Sequence, residues 1–166
     1  AHEKGVSSNN YSKTRWCVDS GANRDICRDI SLAGGREIPK QLTIGEAGRG
    51  HSFLSEAVGP VDVTVKGKKL SLLSRTIFAE KIHENILSVR EAVTKGFSVL
   101  FNAEGVHLLD PRGVKHGVPI LSGICDPKSH LYYFEFDPSD GAVTCKVAAA
   151  FRVLTACPVV LMVVEF

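Results

Sequence analysis

The chain has 166 residues, 44% of them hydrophobic, and a formal net charge of +2 from 20 basic and 18 acidic side chains. That length suits one domain with an appendage, and that apolar content builds a core, which excludes wholesale disorder. The near-balance of charge excludes a strongly basic footprint, so no direct nucleic-acid binding is expected.

Residues 1–12, "AHEKGVSSNNYS", are polar and without periodicity, and are expected to form a flexible N-terminal arm. With Lys13 and Arg15 the basic character of this arm extends to residue 15, and it is read as solvated. From residue 13 onward β signals dominate. "RWCVD" (15–19) predicts a buried strand that ends in an acid. Residues 40–79 alternate short β-prone runs with glycine punctuation. Within them "GEAGRG" (45–50) predicts a mobile turn between two strands, and "KGKK" (66–69) a tight hairpin turn. "NILSVREAVTKG" (85–96) mixes an apolar and a charged face and ends in Gly96, which predicts one short helix. Two strands around a turn at Asn102–Gly105 follow, then a further strand pair within 117–138. The expected fold class is mostly β with one short helix.

The five cysteines, Cys17, Cys27, Cys125, Cys145 and Cys157, form no CxxC pair, and no histidine stands at ligand spacing to one of them. No metal site is expected, and reduced intracellular thiols are the better reading than a disulfide scaffold. No signal peptide is evident. The last fourteen residues, "VLTACPVVLMVVEF", are apolar but too short to span a bilayer and contain Pro158. They read as a strand or as a segment cut from a longer chain.

"DSGA" (19–22) carries the chemistry. A strand ending in Asp-Ser-Gly projects a carboxylate from a sharp turn, in which Gly21 gives conformational freedom and Ser20 offers a hydroxyl to the neighbouring backbone. One carboxylate is a poor tool for splitting an amide. Two carboxylates about 3 Å apart share one proton, so that one acts as base and the other as acid. No second loop of this kind occurs: "DPRG" (110–113) and "DPSDG" (137–141) read as proline-containing turns. A two-fold homodimer brings the same Asp to its axis twice and supplies the missing half. A Cys–His pair such as Cys27 with His51 is the other nucleophilic arrangement available, without a local signature to support it.

"WCVDSGANRDI", "LTIGEAGRG", "VGPVDVTV" and "ILSVREAVTKGFSVLFNAEGVHLLDPRG" follow one another in an order that resembles the protease region of Ty1/copia-type retrotransposon polyproteins. The resemblance covers residues 16 to about 113 and continues weakly toward the pre-integrase region. It implies a retropepsin-like acid protease fold over 13–113, with one active-site loop per chain, and a C-terminal extension of uncertain fold over 114–166. The activity implied is that of an aspartic endopeptidase that cleaves its own Gag-Pol polyprotein as a homodimer, without cofactor or metal, in the cytoplasm within virus-like particles. Asp19 is then the catalytic acid and base, Ser20, Gly21 and Ala22 complete the active-site loop, and Asn23 contacts substrate main chain. Gly45, Gly48 and Gly50 fall on the flap that closes over substrate, and "ILS" (86–88) falls on a strand supporting the loop, with Ser88 where retropepsins usually carry Gly. Copia-type chains carry His where this one has Asp25, which either perturbs the proton affinity of the Asp pair or is a solvated loop residue. The upstream zinc knuckle of the family is absent, which marks the chain as an excised fragment. The alternative function is a non-catalytic retropepsin-like module for dimerisation or peptide binding.

Overall fold

Strand β1 (Arg15–Asp19) buries Trp16, Cys17 and Val18 in succession. Three consecutive buried residues require cover on both faces of a strand. The strand is also central in its sheet: on one side it runs parallel to β8 (Asn85–Ser88), with Asp19 opposite Ser88, and on the other antiparallel to β12 (Tyr132–Ser139), with Trp16 opposite Phe134. The computed structural model describes residues 15–45, 51–65, 68–110, 116–139 and 142–145.

The sheet is built around a long hairpin. In β6 (Ala57–Val65) the burial alternates strictly, so that Ala57, Val61, Val63 and Val65 face the core while Asp62 and Thr64 face outward. Its partner β7 (Lys68–Phe78) runs antiparallel, and the register slips on either side of Val61. Pro60, which has no N–H to give a ladder, sits at the first of these irregularities. The residues between the two strands, 66 and 67, lie outside the described ones, and Lys68 and Lys69 of the expected turn belong to β7.

The pairings β1–β8–β2–β7–β6–β13–β12 return to β1, with β2 being Ile26–Cys27 and β13 Ala142–Cys145. A closed ring of this kind leaves no free edge within it. From β12 the sheet continues through β11 (Leu121–Cys125) and β10 (Gly105–Leu109) to β9 (Ser98–Asn102). Residues 121–145 therefore contribute three strands to the sheet that carries the Asp-Ser-Gly strand. β12 includes Asp137 and Pro138, so the "DPSDG" stretch begins inside a strand and not in a turn. The β9–β10 turn falls at Asn102–Gly105 as the sequence predicts. Asn102 Oδ1 accepts from the N–H groups of Glu104 and Gly105 at 2.9 and 3.1 Å.

Trp16, Phe78, Phe134 and Phe136 are the largest wholly buried side chains, and the Trp16 and Phe136 rings meet edge to face at 6.2 Å. Among the described residues the mostly β class with one short α-helix holds. The helix, α1, covers only Val89–Thr94. Residues 85–88, expected to open it, form β8 instead, because their ladder partners are β1 and β2, which the local pattern does not reveal. Arg15 is likewise no part of a solvated arm. Its guanidinium lies 3.7 Å over the Tyr133 ring and bonds Asp126 at 2.6 Å. Residues 1–12 and 146–166, the expected arm and the end of the expected extension, lie outside the described residues.

Candidate active site

Asp19 is the last residue of β1, where the chain leaves the core between two paired strands. Its Oδ1 accepts the Gly21 N–H at 2.7 Å, so the carboxylate is turned back over its own loop and held there. A Cβ on Gly21 would lie 3.3 Å from that same oxygen. A side chain here would crowd the carboxylate, which would have to give by a few tenths of an ångström. Gly21 does not adopt a left-handed backbone, which corrects the expectation that its conformational freedom was the reason for it.

The loop is fastened from beneath by Ser88. Its hydroxyl donates to the Ala22 carbonyl at 2.6 Å and accepts the Glu91 N–H at 3.2 Å, so one side chain both caps α1 and grips the Asp-Ser-Gly-Ala turn. "SVRE" (88–91) is the sequence signature of such a cap, a signal that the expected helix start at residue 85 passed over. Ser20 is exposed, and among the described residues its hydroxyl bonds to nothing, so the fastening expected of it is made by Ser88.

Asp25 is neither solvated nor a partner for Asp19. It is 1% exposed, with Oδ1 accepting the Ser88 N–H at 2.8 Å and Oδ2 paired with Lys95 Nζ at 3.1 Å. Burial pushes its pKa up, and the Lys95 ammonium and the Ser88 N–H offset part of that rise. The close ion pair and the donated N–H both suit a carboxylate in its charged form.

A cleft of about 770 Å³ opens at the Asp19 loop. Gly21, Ala22, Asn23 and Arg24 line it on the loop side, and Ile26, Ile77 and Ile86 line it with apolar surface from β2, β7 and β8. The other wall is a separate two-stranded hairpin, β4 (Thr43–Gly45) with β5 (Ser52–Leu54), which contributes Thr43, Ile44, Gly45 and Phe53. Gly45 stands opposite Ser52 at the end of this hairpin. Gly48 and Gly50, at the expected flap tip, lie outside the described residues. The structure thus brings Asp19, Gly21, Ala22, Asn23 and Gly45 to one cleft. Sequence reasoning missed the isoleucine floor, as well as Ile82, His83 and Glu84, which also border the cleft. Glu84 is the one other carboxylate among the described residues lining it.

Cys27 offers no nucleophile. It is wholly buried, its Sγ lies 3.5 Å from the Asp29 carbonyl, and burial pushes its thiol up to about 12, while His51 stands exposed. Thiolate is the reactive form, so a thiol held protonated in the core is inert. Among the described residues no group of three or more His, Cys, Asp or Glu side chains could hold a metal ion. The chain matches no family model, and neither the curated proteins nor the solved structures contain a significant match to it.

Proposed function

We propose that this chain is a retropepsin-like aspartic endopeptidase that acts as a homodimer and processes the Gag-Pol polyprotein of a copia-type retrotransposon within cytoplasmic virus-like particles. The observation that carries the reading is the Asp19 carboxylate itself. It is held by the Gly21 N–H at the end of a buried strand, at the mouth of a cleft bounded by a β-hairpin. Such a cleft admits an extended peptide, which bonds through its main chain to a hairpin edge while the isoleucine floor takes its apolar side chains. The family in this reading comes from the resemblance of the DSGA, flap and strand segments to copia-type protease regions.

The chemistry needs two copies. A water between the two Asp19 carboxylates gives its proton to the ionised one, and its oxygen bonds to the scissile carbonyl carbon. The other Asp19 transfers its proton to the carbonyl oxygen. When the tetrahedral intermediate collapses, the C–N bond breaks, the leaving nitrogen takes a proton from one Asp19, and a hydroxyl of the intermediate gives its proton to the other, which restores the singly protonated pair. Asp25 is spent on Ser88 and Lys95 and is not free to act as the second acid.

The test is cleavage of a precursor carrying the chain's flanking polyprotein sequence, with and without a pepstatin-type inhibitor. The wild-type chain should cut it and Asp19→Asn should not, with unchanged circular dichroism. The rate per chain should fall on dilution below the dimer dissociation constant. Normal turnover by Asp19→Asn would remove the assignment. A constant rate per chain from a sedimenting monomer would replace the shared pair with an intrachain one, for which Glu84 is the cleft's other carboxylate. A folded wild-type chain that dimerises and binds peptide without cutting it would point to the binding module.

A further inference from the structure

We infer that Asp25, Ser88 and Lys95 form a buried clamp whose task is to position the Asp19 loop, so that helix α1 sets the geometry of the catalytic carboxylate. For its catalytic consequence the inference rests on the function proposed above. Its structural content is independent of that function.

The clamp joins Asp25 to Ser88 and Lys95, the residues at the two ends of α1, across 63 and 70 positions of the chain. Ser88 is the cap of α1, and its own N–H has no place in the helix ladder, since the first N–H groups of a helix have no partner within it. In a capping box the Glu three residues on takes this N–H. Here Glu91 does not. Its carboxylate is drawn to Arg24 at 3.0 Å and to Lys95 at 3.5 Å, and Asp25 Oδ1 accepts the Ser88 N–H in its place. The Ser88 oxygen accepts from the Glu91 N–H, which leaves its hydrogen for the Ala22 carbonyl. One serine thereby joins the helix, the buried acid and the catalytic loop.

Lys95, the residue that ends α1, fixes the opposite end of the helix. Its Nζ pairs with Asp25 Oδ2 at 3.1 Å and donates to the Leu72 carbonyl of β7 at 2.5 Å. The Asp25 carbonyl is itself bonded by the Ile77 N–H at 2.9 Å. The helix therefore cannot tilt or slide without breaking a bond to Asp25, and Asp25 cannot move without releasing β7. A buried ion pair adds little stability over an apolar pair of similar volume. What it does add is direction: each oxygen of Asp25 has one assigned donor. Ala22 lies three residues from Asp19, and Gly21, between them, holds the Asp19 carboxylate. Displacing a reacting group by about 1 Å costs on the order of 100-fold in rate.

The experiment compares Lys95→Met, Lys95→Arg and Ser88→Ala with the wild-type chain. Lys95→Met keeps an unbranched side chain one atom shorter and removes its charge, and Ser88→Ala removes only the link to Ala22 and the cap. Both should lower kcat per active site by about 10- to 100-fold, with KM within about threefold, when sites are counted by titration with a tight-binding inhibitor. Lys95→Arg, which can still pair with Asp25, should recover most of the loss. Amide hydrogen exchange at Gly21, whose N–H holds the Asp19 carboxylate, should quicken at least tenfold in Lys95→Met and Ser88→Ala, while exchange in β9 and β10 stays unchanged. If the wild-type chain cuts nothing, the proposed function fails, and the exchange rates still decide the clamp. If exchange in the loop is unaltered in a folded Ser88→Ala chain, or if the variants lose sites while each remaining site keeps its kcat, the clamp is purely structural and the inference is overturned.

Discussion

Phe134→Ala asks whether the segment after residue 113 is part of the domain that carries Asp19. Phe134 lies in β12, 0% exposed, directly across the ladder from Trp16 in β1. Its ring is 6.5 Å from that of Phe136, which in turn packs on Trp16. An aromatic side chain withdraws about 150–250 Å² from water. At about 25 cal/mol per Å², even the lower figure corresponds to about 4 kcal/mol. Measured Phe→Ala substitutions in cores cost about 3–5 kcal/mol, the residual cavity included. A domain of this size has about 5–15 kcal/mol in total, so the variant should lose a large share of it. The assay is urea unfolding followed by tryptophan fluorescence, since Trp16 is the chain's one tryptophan and stands at the contact. Val118→Ala is the control. It lies in the same segment at 58% exposure and should change stability by no more than about 0.5 kcal/mol. A Phe134→Ala cost no larger than the control's, or an unfolding curve in which the Trp16 transition keeps its midpoint, would refute the closure of the sheet through β12.

Stability should fall as pH is lowered from 7 toward 5.5. Burial holds the His107 imidazole below its ordinary value, with Glu104 opposing the shift in part, so the unfolded chain takes up a proton near 6.5 that the folded chain refuses. The contribution is complete above the unfolded pKa and is lost as pH falls toward the folded one. A His107→Gln variant should flatten this slope in urea midpoints, and an unchanged slope would assign it to other groups. Burial also pushes the thiols of Cys17 and Cys27 up to about 12. In the native chain at pH 8 a maleimide should therefore leave both unlabelled by peptide mapping while the half-buried Cys125 reacts, and labelling of either core thiol at the rate of Cys125 would contradict their burial.

Local chemistry was legible wherever one residue's neighbours in sequence are its neighbours in space. The acid at the end of "RWCVD", the glycine two residues later, the alternation of "AVGPVDVTV" and the turn at Asn102–Gly105 all depend on contacts within a few residues. "SVRE" carries the cap of α1 in four consecutive residues, although the helix was expected to begin at residue 85. The tertiary structure decided the rest. Residues 85–88 carry a pattern compatible with helix, yet β1 and β2 draw them into a ladder, since pairing buries Leu87 and satisfies backbone groups that no local preference outweighs. Asp25 reads as a loop acid until Lys95 is seen beside it, seventy positions away, and a charge removed from water is tolerable only with such a partner. Likewise nothing in "LYYFEF" names Trp16 as its counterpart. Period-2 patterning tells a strand which face to bury and leaves open which strand it will pair with, and that choice is made by the shape of the core that the whole chain fills.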